Sequence, residues 1–119
     1  MFVDGHHDTS DAVAQDVARA LADDPTVTAV VAANDEVALG VLAALAGRVP
    51  KRVSLIGFDD IEASTKVRPR LSTVAVDKPA MGRLAVAMLL HRIRHPHDPA
   101  FTVMQPARLV IRDSVAPPP

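Results

Sequence analysis

Hydrophobic residues follow two alternating patterns along this chain. In the first they recur three and four residues apart, which predicts three helices that begin at Thr9 or Ser10, at Asn34 and at Pro79. In the second they form short continuous runs, which predict strands at residues 28–33, 53–57, 71–76, 101–104 and 107–111. Residues 61–70 are predicted to be irregular or a short helix. Strands that alternate with helices of ten or more residues indicate an α/β fold, a parallel sheet with helices on both faces.

The composition excludes several classes of protein. The chain has 119 residues, 49% of them hydrophobic and 23% charged, which is typical of one globular domain or an incomplete one. Its net charge of −1 lacks the basic excess of a stand-alone nucleic-acid binder. No cysteine is present, and no apolar run approaches the roughly 20 residues of a membrane span. The first eleven residues carry no Lys or Arg, which argues against a secretory signal. We therefore expect a cytoplasmic protein with no membrane partner.

Two polar clusters directly follow predicted strands. Asn34-Asp35 comes after the first strand, and Phe58-Asp59-Asp60 comes after the second. Open parallel sheets bind ligands beyond the carboxyl ends of their strands, so these side chains could hold a polar small molecule. An ionised Asp accepts hydrogen bonds from two neighbouring hydroxyls at once. The residues alone leave a second interpretation open, in which Asn34 only caps a helix and the two aspartates only shape a turn.

Neither catalysis nor a metal site is favoured by the residues. Asp59 and Asp60 are a carboxylate pair, but adjacent side chains on an extended segment point to opposite sides, and no nucleophile–base set accompanies them. The histidines at positions 6, 7, 91, 95 and 97 lie in a predicted frayed N-terminus and near a proline-rich loop, whereas zinc needs ligands on rigid elements. No phosphate-binding glycine loop is present. We predict no catalytic residue, no metal and no cofactor.

Five segments resemble the LacI/GalR family of bacterial transcriptional regulators. Residues 32–40, AANDEVALG, are similar to the family's ANDxxALG segment, and residues 48–60 are similar to its RVPxDVSVVGFDD segment. Residues 69–74, 81–90 and 109–114 match its PxLTTV, MGxxAxxLL and LVxRxS segments. These segments occur in the family's order and with its spacing, and the resemblance extends from the first helix to Ser114.

The resemblance implies a periplasmic-binding-protein-like fold of type I, in which two α/β subdomains surround an effector cleft. Asn34 and Asp59 match positions that commonly contact the effector, a sugar or a molecule of the nucleobase class. Asp35, Asp60 and Phe58 lie beside them and are further candidates. The resemblance also implies a homodimer. The residues expected at its interface are Val37, Leu39, Val41, Leu42, Leu45 and Ile61.

A division of the chain is implied as well. Residues 1–77 match the C-terminal effector-binding subdomain, and residues 78–104 match a crossover helix and strand of the other subdomain. Residues 105–115 match the returning strand, and residues 116–119 are predicted to be a disordered tail. We expect the second subdomain to be incomplete and the family's DNA-binding head to be absent, so that this chain does not itself bind DNA. The apolar residues expected to lack a surface to cover are Met81, Leu84, Met88 and Leu89.

The expected function is effector sensing and dimerisation in a transcriptional regulator, and not catalysis. One alternative is an exported solute-binding protein of the same fold, which the missing signal sequence and the regulator-type segments disfavour. A second is a small α/β enzyme, which would need a nucleophile or cofactor loop that the sequence does not contain. A third is a short chain that pairs with full-length regulators and modulates them.

Overall fold

The structure, a computed structural model, describes residues 2–3 and 10–118. The strands in this part of the chain are β1 (Phe2–Val3), β2 (Ala29–Ala32), β3 (Ser54–Phe58), β4 (Ser72–Val76) and β5 (Ala107–Val110). The helices are α1 (Ser10–Asp23), α2 (Asp35–Ala44), α3 (Ala63–Lys66) and α4 (Lys78–Arg94). The three long helices and strands β2 to β5 therefore lie where the hydrophobic pattern predicts them.

The strands form one sheet in the order β1-β2-β3-β4-β5. Strands β1 to β4 are parallel neighbours, with Val31 of β2 opposite Ile56 of β3 and Gly57 of β3 opposite Thr73 of β4. The α/β fold class with its parallel strands is confirmed. Because the strand order is consecutive, each right-handed crossover carries the chain one strand further in the same direction. Successive crossover helices consequently arrive on the same face of the sheet.

The hydrophobic core lies between α1, α2 and one face of the sheet. Val30 and Ala32 of β2 and Leu55 of β3 are buried there. The helices contribute Val13, Ala14, Val17 and Leu21 from α1, and Val37, Ala38, Val41, Leu42 and Leu45 from α2. Val31, which alternates with the buried residues of β2, is 43% exposed. Helices α1 and α2 therefore pack on the same face of the sheet.

The chain divides into two compact units. Met1–Ala75 and Leu109–Pro119 form the first, and Val76–Arg108 forms the second. In the second unit, α4 begins at Asp77, whose side chain accepts a hydrogen bond from the backbone N–H of Ala80 at 2.8 Å. No residue of α4 is buried, and Met81 and Leu89 are exposed, as expected for a helix without a covering surface. Within residues 10–118, no helix combines the length and hydropathy that a bilayer crossing needs.

Three local predictions differ from the structure. Residues 101–104 form no strand. Strand β1 has no counterpart in the prediction, because two residues are too few to show a periodicity. Ala116, assigned to a disordered tail, is anchored: its N–H donates to Ser54 Oγ at 3.1 Å, and its carbonyl accepts from that hydroxyl at 3.0 Å.

An exposed ion pair connects the residue before β4 with the segment after β5. Arg70 donates from Nε to Oδ2 of Asp113 at 2.8 Å and from Nη2 to Oδ1 at 3.0 Å. The backbone N–H of Asp113 also donates to the carbonyl of Arg70 at 3.0 Å. The hydrogen bond from the Arg70 side chain is the main reason that the pKa of Asp113 falls from 3.8 to about 2.

This pair predicts a pH dependence of stability in acid. Because the pKa of Asp113 is lower in the folded chain, its stabilising contribution is complete above about pH 4 and disappears as the pH falls through about 2. An Asp113→Asn variant lacks that contribution at every pH. The free energies of unfolding of variant and parent, measured by urea denaturation at fixed ionic strength, should therefore converge towards pH 2. A difference that stays constant down to that pH would contradict this prediction.

Candidate functional site

The two polar clusters lie at the same edge of the sheet. Asn34 and Asp35 follow β2, and Asp59 and Asp60 follow β3, its parallel neighbour. A hydrogen bond of 3.0 Å from the backbone N–H of Ile61 to Oδ2 of Asp35 joins the two loops directly. The clusters thus meet at the carboxyl edge, where open α/β sheets bind their ligands.

Asp35 forms the structural centre of this edge. Its side chain is fully buried, and its two carboxylate oxygens accept three hydrogen bonds. Besides the Ile61 amide, the hydroxyl of Ser64 donates to Oδ2 at 2.7 Å, and the hydroxyl of Thr73 donates to Oδ1 at 2.6 Å. Its position in the first turn of α2 adds the favourable field of a helix N-terminus. Asp35 therefore ties α2 to the loop after β3, to α3 and to β4, and it has no surface left for a ligand.

Close packing against Gly57 makes this arrangement possible. A Cβ atom at Gly57 would lie 2.1 Å from Oδ1 of Asp35 and 3.2 Å from its Cα. Asp35 cannot move aside easily, because Oδ1 is fixed by the Thr73 hydroxyl and Oδ2 by two further donors. Position 57 consequently requires glycine for close approach and not for an unusual φ.

Asn34 is the N-cap of α2, and its effector contact stays a prediction. Its Oδ1 accepts a hydrogen bond from the backbone N–H of Val37 at 2.8 Å, so the residue is the N-cap of α2. The amide nitrogen of the same side chain makes no hydrogen bond within the described part of the chain. Asn34 is only partly buried. The cap fixes the orientation of the side chain and leaves its two amide donors for a ligand.

Asp59 and Asp60 form a turn in an uncommon conformation. Their φ angles are 109° and 52°, so two consecutive non-glycine residues lie in the left-handed region. Such backbone costs free energy and persists where surrounding contacts determine it, often at ligand sites. The N–H of Asp59 donates to the carbonyl of Val74 at 2.9 Å, which extends the pairing of β3 with β4 into the turn. Asp59 is partly exposed at this edge.

The carboxylate of Asp60 is paired with the guanidinium of Arg112. Its backbone N–H also faces the hydroxyl of Thr73 at 3.4 Å. Asp60 is thus held by contacts within the chain, whereas Phe58, the last residue of β3, is 38% exposed. Of the five predicted effector residues, the structure leaves Asn34, Phe58 and Asp59 accessible at the carboxyl edge.

The expected dimer-interface residues divide in a similar way. Val37, Val41, Leu42 and Leu45 are buried in the core of this chain. Their side chains belong to the core of this chain, and their place at an interface stays a prediction. The position of α2 against the sheet turns their side of the helix inward. Leu39 and Ile61 are only partly buried, and for them the interface remains a prediction.

An apolar groove of about 310 Å³ lies beside the exposed side of α2. Leu39, Ala43 and Ala46 line it from the helix and the residues after it, and Val67 and Pro69 line it from the segment before β4. Of the expected interface residues, Leu39 and Leu42 line this groove.

Metal binding finds no support in the part of the chain that the structure describes. No group of three or more His, Cys, Asp or Glu side chains in that part is arranged to hold an ion. His91 instead pairs with Asp98, with Nε2 3.0 Å from Oδ2. The His6-His7-Asp8 cluster lies outside the described residues.

Sequence reasoning missed the residues that support the candidate site. Gly57, Ser64, Thr73 and Arg112 received no role, although three of them lie inside quoted family segments. The side-chain hydrogen bonds from Ser64, Thr73 and Arg112 to Asp35 or Asp60 join positions 29 to 52 residues apart in the chain. No local pattern contains such pairings. The one available signal was that polar residues stand at the ends of predicted strands.

Comparison with known proteins establishes the family. A family model described as a periplasmic binding protein-like domain matches residues 3–115. The chain belongs to this family. The ribose operon repressor of Haemophilus influenzae is 36% identical over 91 residues, which are 74% of this chain and 27% of the repressor. The HTH-type transcriptional repressor PurR of H. influenzae strain PittEE is 41% identical over 106 residues, which are 82% of this chain and 31% of that protein.

A solved structure agrees with these relatives. The LacI family transcriptional regulator of Arthrobacter sp. FB24, in complex with lactose, superimposes with a TM-score of 0.76 and 35% identity. The alignment covers 91% of this chain and 42% of the regulator. The resemblance to the effector-binding region of LacI/GalR regulators is confirmed. The chain spans about a third or less of the length of the curated relatives that it matches.

The packing of Gly57 against Asp35 predicts a large effect of one methyl group. Gly57→Ala should lower the free energy of unfolding by roughly 3 kcal/mol, because the new Cβ displaces a buried carboxylate from its donors. Gly82→Ala is the control, since a Cβ there meets no atom within 4 Å. It lies in α4 and should leave stability unchanged or raise it by up to about 1 kcal/mol. Equal free energies of unfolding for both variants would refute the packing argument.

Proposed function

We propose that the chain is the effector-sensing region of a LacI-type transcriptional regulator and that its effector is a sugar or a similar polyol. Two relatives are named repressors, one of them of the ribose operon, and a similar regulator structure holds lactose. The protein is then a binding module without a catalytic residue, metal or cofactor, and it acts in the cytoplasm. DNA binding would reside in a separate head and not in this chain.

The turn at Asp59 carries this proposal. Its left-handed backbone presents a partly exposed carboxylate at the carboxyl edge of β3. Asn34 offers amide donors at the adjacent strand end. A carboxylate that accepts from neighbouring hydroxyls, beside an amide that donates to a third oxygen, suits a polyol better than an apolar ligand. Phe58 supplies the one exposed aromatic side chain of that loop, a surface for the apolar face of a sugar ring.

Effector binding would regulate transcription by shifting a conformational equilibrium. A sugar bound at this edge stabilises whichever arrangement of the protein contacts it best, and it shifts the population only by that difference in affinity. The shift would then reach the DNA-binding head. By reciprocity, operator DNA would alter the affinity for sugar by the same factor.

The role of Asp59 can be tested by sugar binding to the protein at its native length. Asp59→Asn keeps the size and the tolerance for a positive φ but removes the charge. We expect lactose or ribose, titrated by calorimetry, to bind this variant more weakly by about 1–3 kcal/mol. The control is Glu62→Gln, which changes an exposed carboxylate three residues further along. Equal affinities of Asp59→Asn and the parent would remove Asp59 from the site. Absence of binding of either sugar to the parent would overturn the sugar assignment.

We also propose that the apolar groove beside α2 contacts a second copy of the chain. The family resemblance implies a dimer through this helix and the segment before β4, and both line the groove. Exposed apolar surface of this kind, next to the charged side chain of Arg68, is typical of an interface. Because Val37, Val41 and Leu45 are buried and do not line the groove, the contact would involve Leu39, Leu42 and the small residues that follow them.

A matched pair of alanines tests this interface. Ala43 lines the groove, whereas Ala44 is equally an exposed residue of α2 but does not. Ala43→Glu places a charge in the groove and should shift the protein from dimer to monomer in sedimentation equilibrium. Ala44→Glu should leave the association constant unchanged. A monomeric parent, or identical association of both variants, would show that the groove is not the dimer contact.

The remaining alternatives make different predictions. A solute-binding protein for import would bind sugar with Asp59 in the same role but would occur outside the cytoplasm. A short form that modulates full-length regulators would co-purify with one of them through the groove, and Ala43→Glu would abolish that association. Cell fractionation and co-purification therefore distinguish these proposals from the regulator without relying on the sugar assay.

A further inference from the structure

Arg112 connects the candidate effector turn with the ends of two strands. Its guanidinium pairs with the carboxylate of Asp60 and donates from Nη1 to the carbonyl of Leu71 at 2.7 Å. Its backbone N–H donates to the hydroxyl of Ser72, the first residue of β4, at 2.8 Å. One residue therefore joins the turn after β3, the start of β4 and the segment after β5.

The pairing with Arg112 is one of the contacts that hold this turn. Two consecutive left-handed residues are unfavourable for side chains with a Cβ, so contacts must hold them. The amide of Asp59 has a good partner in the Val74 carbonyl, but the amide of Asp60 lies 3.4 Å from the Thr73 hydroxyl, a long and weak contact. The charge-assisted pair with Arg112 is thus a stronger contact for Asp60 than the one with Thr73.

The ion pair between Arg112 and Asp60 is more buried than the ion pair between Arg70 and Asp113. The side chains of Arg112 and Asp60 are 13% and 25% exposed, whereas those of Arg70 and Asp113 are 51% and 43% exposed. The Arg70 pair links the start of β4 with the segment after β5, which are two stretches that Arg112 also joins through Leu71 and Ser72. Water and salt screen the Arg70 pair strongly and the Arg112 pair much less.

The strands that Arg112 joins also carry the chain between its two units. The chain leaves the first unit after Ala75, within β4, and returns to it at Leu109, within β5. Arg112 lies two residues beyond the end of β5, and its partners Leu71 and Ser72 lie at the start of β4. A change at the Asp59-Asp60 turn would therefore act on both connecting strands through one side chain.

We propose that Arg112 is the positioning residue of the effector site: by pairing with Asp60 it holds the left-handed turn that presents Asp59, and it couples that turn to β4 and β5. The effect of Arg112 on ligand binding rests on the proposed function. The role of Arg112 in holding the turn does not. Arg112 does not itself contact the effector.

Hydrogen exchange tests the positioning role without any ligand. In Arg112→Met, the amides of Asp59 and Ile61 should exchange at least about tenfold faster, because the turn opens locally. The amide of Leu55, which donates to the carbonyl of Ser114 in the core, should keep its rate. Arg112→Lys keeps the charge but cannot serve Asp60 and Leu71 with one planar fork, so it should restore the rates only in part. Asp60→Asn is a second variant in case Arg112→Met does not fold. It breaks the same ion pair and should accelerate the exchange of the Asp59 and Ile61 amides in the same way.

The matched control is Arg70→Met. It breaks the exposed pair between the same two stretches and should leave the exchange of Asp59 and Ile61 unchanged. A merely structural role for Arg112 would accelerate Leu55 as much as the turn. That result, or equal rates in Arg112→Met and Arg70→Met, would overturn the inference.

Lactose and ribose binding then test the link to the effector. Arg112→Met should raise the Kd of the sugar that the parent binds by roughly tenfold, and Arg70→Met should leave it unchanged. If the turn loosens in hydrogen exchange but the Kd stays the same, Arg112 does not position the effector site. If the parent binds neither sugar, the proposed function fails, and hydrogen exchange alone still decides whether Arg112 holds the turn.

Discussion

The carboxylate of Asp35 is the contact on which the carboxyl edge of the sheet depends. It is fully buried, it accepts three hydrogen bonds, and its donors come from the loop after β3, from α3 and from β4. A buried carboxylate is very unfavourable without such donors, so the fold places all of these elements around one side chain. The absence of a side chain at Gly57 is the steric condition for this arrangement.

Ligand-accessible groups are arranged around this centre. The same N-terminus of α2 that buries Asp35 exposes the amide of Asn34, whose oxygen caps the helix. The same loop that donates to Asp35 begins with the left-handed turn of Asp59 and Asp60. Adjacent residues in each cluster therefore differ in environment: Asp35 is fully buried and Asp60 is paired with Arg112, whereas Asn34 and Asp59 are partly exposed. This division follows from geometry, because consecutive side chains cannot point into the same place.

The sequence patterns predicted the positions of the helices and strands well. They predicted less well which side chains of those helices and strands are buried, and against what. The period of the apolar residues located α1, α2, α4 and strands β2 to β5, since that period reflects local backbone geometry. For β2, the continuous apolar run is typical of a strand that is buried on both faces. In the structure, however, the side chain of Val31 on one of those faces is exposed. Separately, the family resemblance placed Val41 and Leu45 at an interface, and both are buried in the core of this chain. An apolar side chain shows that it avoids water, but it does not show which neighbour excludes the water.

The sequence by itself determined the α/β class, the family resemblance and the two polar clusters at strand ends, because all three depend on residues that are close together in the chain. Only the tertiary structure decided which members of those clusters are buried, which residue of the family segments pairs with Asp60, and on which face of the sheet α1 and α2 pack. The pairs Asp35–Thr73 and Asp60–Arg112 join residues 38 and 52 positions apart. Contacts of that separation arise from the order of the strands and the handedness of their connections, which no local pattern of residues encodes.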